Sequence, residues 1–108
     1  MTLAELYALL NGVTGFTNKV VYEAWPEGEA PALPYICFLE SSSDNFGADN
    51  KVYYKRKNVQ IELYSKRKDD TSEAAIEAAL DAAGIFYNSS DVYLDDERCH
   101  ERIYEIEV

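Results

Sequence analysis

Histidine, tryptophan and methionine occur once each in this chain of 108 residues, and cysteine twice. That scarcity removes most chemistry at the outset. His100 follows Cys99, and successive side chains of a strand point to opposite faces, so the two cannot work as a nucleophile and its base. His100 reads as a surface histidine. Cys37 sits in an apolar segment, Cys99 in a charged one, and no signal peptide points to an oxidising compartment, so both read as free thiols. There is no phosphate-cradling glycine loop, dinucleotide fingerprint, zinc-protease motif or serine elbow. An enzyme, a cofactor or a catalytic residue has nothing here to stand on.

Long hydrophobic runs are missing too. No stretch approaches the roughly 20 apolar residues that span a bilayer, and the opening "MTLAELYALL" has no basic start, so the expectation is a soluble, cytosolic protein without a membrane partner. Cations are outnumbered, ten Lys and Arg against twenty Asp and Glu, for a net charge of −10. Affinity for nucleic acid comes largely from cations neutralising phosphate, so specific nucleic-acid binding is not expected.

What is present is enough for one domain over residues 1–108, with 47% apolar residues to fill a core. Thr2 and Glu5 form a capping box ahead of Leu3, Leu6, Tyr7 and Leu10, and Gly12 closes a helix over about 3–11. "KVVYEAW" reads as a strand over 19–25. "PEGEAPALP" breaks regular structure, and "YICFLE", apolar on both alternating faces, reads as a central strand covered on both sides. From about Val52 to Tyr64, Val59, Ile61 and Leu63 alternate with Asn58, Gln60 and Glu62, a strand with one buried face. In "DDTSEAAIEAALDAAG" the period becomes helical: Asp70 and Glu73 can cap, Ile76, Ala79, Leu80 and Ala83 form a stripe, and Gly84 ends it. Two more extended runs follow, the last alternating as Arg102, Tyr104, Ile106 and Val108 against Ile103, Glu105 and Glu107. The order α-β-β-β-α-β-β predicts an α+β fold, a mainly antiparallel sheet of about five strands with both helices packed on one face.

The stretch "SSSDNFGADNKVYYKRK", residues 41–57, joins two of these strands as an extended hairpin. Asn45, Gly47 and Asn50 offer turn conformations, Phe46 an aromatic anchor, and Lys55, Arg56 and Lys57 positive charge for an acidic neighbour. Asp44, Asp49 and Asn50 resemble part of a calcium loop, but Gly47 comes too early and the distal Glu is absent, so no metal site is expected. Asp95, Asp96 and Glu97 read as a solvated turn, and Lys66, Arg67 and Lys68 either as a solvated strand end or as a cationic cluster that meets the acidic surface of a neighbouring copy. Nine tyrosines suit contact surfaces as well as a core.

Four segments, "LPYICF", "DNFGADN", "VQIELYSK" and the terminal "YEIEV", together with the alanine-rich helix, resemble the tail terminator proteins encoded in the head-to-tail module of tailed phages and prophages. The resemblance covers about residues 3–108 and contains no catalytic motif. It implies an α+β subunit of the virion, assembled in the host cytoplasm, that forms a ring, usually a hexamer, capping the tail tube and joining it to the head connector. Its implied partners are further copies of itself, the tail tube protein and the head connector protein. On that reading Asn45, Phe46, Gly47, Asn50, Lys55, Arg56 and Lys57 form the oligomer or tube contact. A head-side connector or stopper would have similar size and composition. An acidic inhibitor that mimics DNA on a host nucleic-acid-binding protein is the alternative from another class, since −10 on a small domain suits a basic site.

Overall fold

The computed structural model describes residues 1–48 and 51–108, with side chains described outside 44–55. Helix α1 spans Leu3–Asn11. The expected capping box is complete: the Glu5 N–H donates to Thr2 Oγ1 and the Thr2 N–H donates to Glu5 Oε1, each at 3.0 Å. Strand β1, Val20–Tyr22, is shorter than the sequence suggested, because Glu23 turns out of extended backbone at φ 67. Strands β2, Tyr35–Ala48, and β3, Lys51–Ser65, follow, then α2, Asp70–Ala82, β4, Tyr87–Leu94, and β5, Cys99–Glu107. The N-cap of α2 is Asp69 and not Asp70: its side chain accepts from the Ser72 N–H at 3.0 Å, while Asp70 and Glu73 lie in the first turn, where the helix dipole favours negative charge.

The strands form one sheet in the order β1-β2-β3-β5-β4, parallel between β1 and β2 and antiparallel elsewhere. It is the expected mainly antiparallel α+β sheet. Register and alternation put Val20, Ile36, Phe38, Val59, Ile61, Leu63, Tyr104 and Ile106 on one face. Leu6 and Leu10 of α1 and Ile76 and Leu80 of α2 pack against them in a single cluster, so both helices cover the same face. Ile36, Cys37 and Phe38 are all buried, as expected for a strand covered on both sides.

One part of the sheet runs past the rest. β3 pairs with β5 from Asn58 to Ser65, extended by the Lys57–Val108 backbone bonds, and β1 pairs with β2 only at residues 36–38, so beyond these limits β2 and β3 continue as a two-stranded arm. A strand of 15 residues reaches about 50 Å at roughly 3.3 Å per residue, which matches the 50 Å long dimension of the molecule.

Candidate functional site

The arm is a hydrogen-bonded ribbon and not a loop closed by early turns. Asn45 pairs with Lys55, Phe46 with Tyr54 and Gly47 with Val52, so Asn45 and Gly47 belong to β2 and do not supply the turn assigned to them from sequence. Local composition favoured a turn there, but ladder pairing with a distant segment overrides local propensity. Gly47 instead marks a register shift after Phe46, the kind of bulge at which glycine is favoured. Asn50 lies outside the described residues, as do the side chains of Asn45, Phe46 and Lys55. A second irregularity, between Glu40 and Ser42, falls at the base of the arm. There Ser41 Oγ donates to the Asn58 carbonyl at 3.2 Å and Asn58 Nδ2 donates to Ser42 Oγ at 2.9 Å.

Arg56 and Lys57 are not simply held out to a neighbour. Arg56 Nη1 lies 2.9 Å from Glu107 Oε2, and Lys57 exchanges backbone hydrogen bonds of 3.1 and 3.0 Å with Val108. Both ends of the Arg56–Glu107 pair are solvent-exposed, so it contributes only about 0–1 kcal/mol and can be exchanged for an intermolecular pair at little cost. Beside it an open cleft of about 960 Å³ is lined by Arg56, Asn58, Phe86, Glu105, Glu107 and Val108, with Phe86 81% exposed at its rim.

Under α2 lies a charge cluster that sequence reasoning missed. Arg102 and Asp91 share a cross-strand row, which brings Arg102 Nη1 to 2.7 Å from Asp91 Oδ2. Arg102 also lies 3.5 Å from both Glu73 and Glu77. Lys68 Nζ reaches Glu73 at 2.7 Å and Asp91 at 3.3 Å, so it is tied into this cluster and is not a solvated strand end. His100 is half-buried with Nε2 2.9 Å from Asp91 Oδ1, which corrects its reading as a surface residue. Burial opposes ionisation of Asp91, but hydrogen bonds from His100, Lys68 and Arg102 outweigh it and hold its carboxyl below the usual range. Glu73, Asp91 and His100 lie close enough together to hold a cation. Lys68 and Arg102 already occupy the same carboxylates, and like charge opposes a further cation there.

The other face of the sheet carries the opposite arrangement, acid against acid. Glu62 and Glu101 are each only 8% exposed, set diagonally where Glu62 pairs with Ile103 and Tyr64 with Glu101. The Tyr64 hydroxyl donates to Glu62. Burial pushes the Glu101 carboxyl up to about 7, helped by its hydrogen bond to Glu62 and by that residue's charge. Burial also pushes the Cys37 thiol up to about 11, with Glu62 and Glu101 adding to the effect. Cys99 is raised in the same way, by burial and then by Glu97 and Glu101. Trp25, from the segment after β1, packs edge-on against Tyr35 on this face, with ring centroids 6.0 Å apart. Both cysteines are free and buried. Asp95, Asp96 and Glu97 are exposed in the turn between β4 and β5, as the sequence indicated.

Among solved structures, a chain of the virion of a native gene transfer agent particle superposes on this one with a TM-score of 0.60 at 16% identity, covering 96% of this chain and 82% of that one. The α+β architecture is therefore one that a virion chain also adopts. No protein-family model matches the sequence, and no curated protein matches it.

Proposed function

We propose that this protein is a non-enzymatic structural subunit of a phage or phage-like particle, one that assembles into a ring capping the tail tube and joining it to the head connector. The observation that carries this reading is the likeness, over nearly the whole chain, to a chain of a gene transfer agent virion. The arm supports it, because a ribbon that leaves its own sheet has a backbone to offer to another molecule. Partners on this reading are other copies of the chain, a hexamer being the expected number, together with tail tube and head connector proteins, and the place of action is the head-to-tail junction. The charge of −10 fits the role: carboxylates around a lumen repel phosphate and let a duplex slide, where a basic lumen would hold it.

Sedimentation velocity and negative-stain microscopy across protein and salt concentration test the proposal. The expected result is a monomer at low concentration that forms rings at high concentration or on tail tubes. A fixed dimer, or a monomer under all conditions including added tubes, would overturn it. Rings that bind isolated heads but not tubes would move the subunit to the head-side connector or stopper position.

A further inference from the structure

The sheet ends on β4, eight residues with no proline, an unbroken register against β5 and one charged side chain, Asp91. Edge strands are usually protected by prolines, bulges, charged side chains or a covering element, and among the described residues β4 has no proline and no bulge and a single charge, Asp91. Residues 88–93 are all exposed, Val92 and Tyr93 among them. The direction of its peptide groups follows from the ladder. Lys57 and Val108 exchange both backbone hydrogen bonds, so with alternation in an antiparallel pair Ile106, Tyr104, Arg102 and His100 bond toward β3. Glu105, Ile103, Glu101 and Cys99 then bond toward β4, where their partners are Asn88, Ser90, Val92 and Leu94. Tyr87, Ser89, Asp91 and Tyr93 therefore present their peptide groups outward.

A second open edge lies on the same subunit. Among the described residues β3 has no partner on its β5 side before Lys57, and by the same alternation the Lys55 peptide groups face that side. The two edges differ in charge. The arm edge carries Lys51, Lys55, Arg56 and Lys57, whereas β4 carries Asp91 and runs into Asp95, Asp96 and Glu97.

We propose that these edges are the two halves of one interface between copies of this chain: the arm strand of one copy, residues 51–56, pairs with β4 of the next and continues its sheet. Parallel alignment brings Lys55 and Lys57 to the Asp95–Glu97 turn of the neighbour, and the complementary charge fixes the register. Because the two surfaces are different, the contact is head-to-tail, the kind that closes into a ring when the rotation per subunit allows. The inference rests on the ring reading above and supplies the surface by which the ring would close.

Charge exchange tests it in the full-length protein. Lys55→Glu with Lys57→Glu on one variant, and Asp95→Lys with Asp96→Lys on another, should each raise the concentration for half-assembly tenfold or more while melting as the parent does. An equimolar mixture should recover assembly, because each variant meets the reversed charge of the other. Ser89→Pro, which removes an outward N–H, should keep the fold and lose assembly. Ser90→Pro, which removes an internal ladder bond, should lower the melting temperature. Variants that assemble as the parent does, or a mixture no better than its components, would overturn the pairing and leave the ring intact. If Ser89→Pro does not fold, the charge exchange decides alone. A parent that never self-associates would bring down both this inference and the proposed function.

Discussion

Replacing Glu101 with glutamine should make the protein more stable above neutral pH and nearly unchanged in acid. The Glu101 carboxyl is raised from 4.5 to about 7 because it is buried against Glu62. A group that binds its proton more tightly when folded contributes stability that is full below its unfolded value of about 4.5 and is lost as pH rises through the folded value. The window is therefore pH 4.5 to about 7, and at about 1.36 kcal/mol per pH unit the loss reaches about 3 kcal/mol at its ceiling. The glutamine amide would keep the shape and donate to Glu62 at every pH, with no second negative charge to repel. The stability difference between Glu101→Gln and the parent should start near zero at pH 4.5, grow through pH 7 and level off above it, by then roughly 13 °C in melting temperature. Urea or thermal melts at half-unit pH steps measure this directly. Because both proteins carry every other carboxylate, general acid effects cancel in the difference. Two parallel profiles, with a gap that does not change with pH, would refute the raised Glu101 carboxyl.

Arg102→Met should destabilise the fold by about 2–3 kcal/mol at pH 7, because it strips a cation from Glu73, Glu77 and Asp91 and leaves Lys68 to compensate alone. Asp91 has a depressed carboxyl, whose stabilisation is present above about 3.8 and lost as pH falls through its folded value, so the deficit in chemical-denaturant melts should narrow in acid. A deficit that widens there would show that the cluster does not act through charge. Cys37, with its thiol pushed up to about 11, should react with iodoacetamide at pH 8 on the order of 100-fold more slowly in the native protein than in denaturant, read by intact mass. Equal rates would mean that the second face of the sheet is open to solvent.

Elements whose cause is local could be read from sequence. The capping box of α1 and the stripe of Ile76 and Leu80 on α2 each lie within a few residues of one another and come out as expected. The alternation of Val59, Ile61 and Leu63 also placed its strand correctly. What failed depends on partners far apart in the chain. Asn45 and Gly47 looked like turn residues because their ladder partners, Lys55 and Val52, become neighbours only once β2 and β3 are aligned. His100 looked exposed because Asp91, nine residues earlier, is brought to it by the β4–β5 hairpin. Glu62 sits where period two predicts the solvent face, and no local signal shows that this face is covered as well. The tyrosine two residues on, in "IELY", is the one hint, since a neighbouring hydroxyl can satisfy a buried carboxylate.

The two faces of the sheet treat acid in opposite ways, and the difference bears on assembly. Beneath α2, Glu73, Glu77 and Asp91 gather around Arg102 and Lys68, so most of this acid is paired inside the subunit. On the other face no cation meets Glu62 and Glu101 among the described residues; the Tyr64 hydroxyl donates to Glu62, and burial raises the Glu101 carboxyl to about 7. The remaining carboxylates, the exposed Asp95, Asp96 and Glu97 among them, give the surface its negative field. Subunits of like charge repel across any interface, but that repulsion acts at long range and is screened beyond about 8 Å at physiological ionic strength. Pairs at contact distance are screened far less. Close contacts between cations and carboxylates therefore offset this repulsion for a chain at −10, and Lys51, Lys55 and Lys57 on the arm supply cations for them.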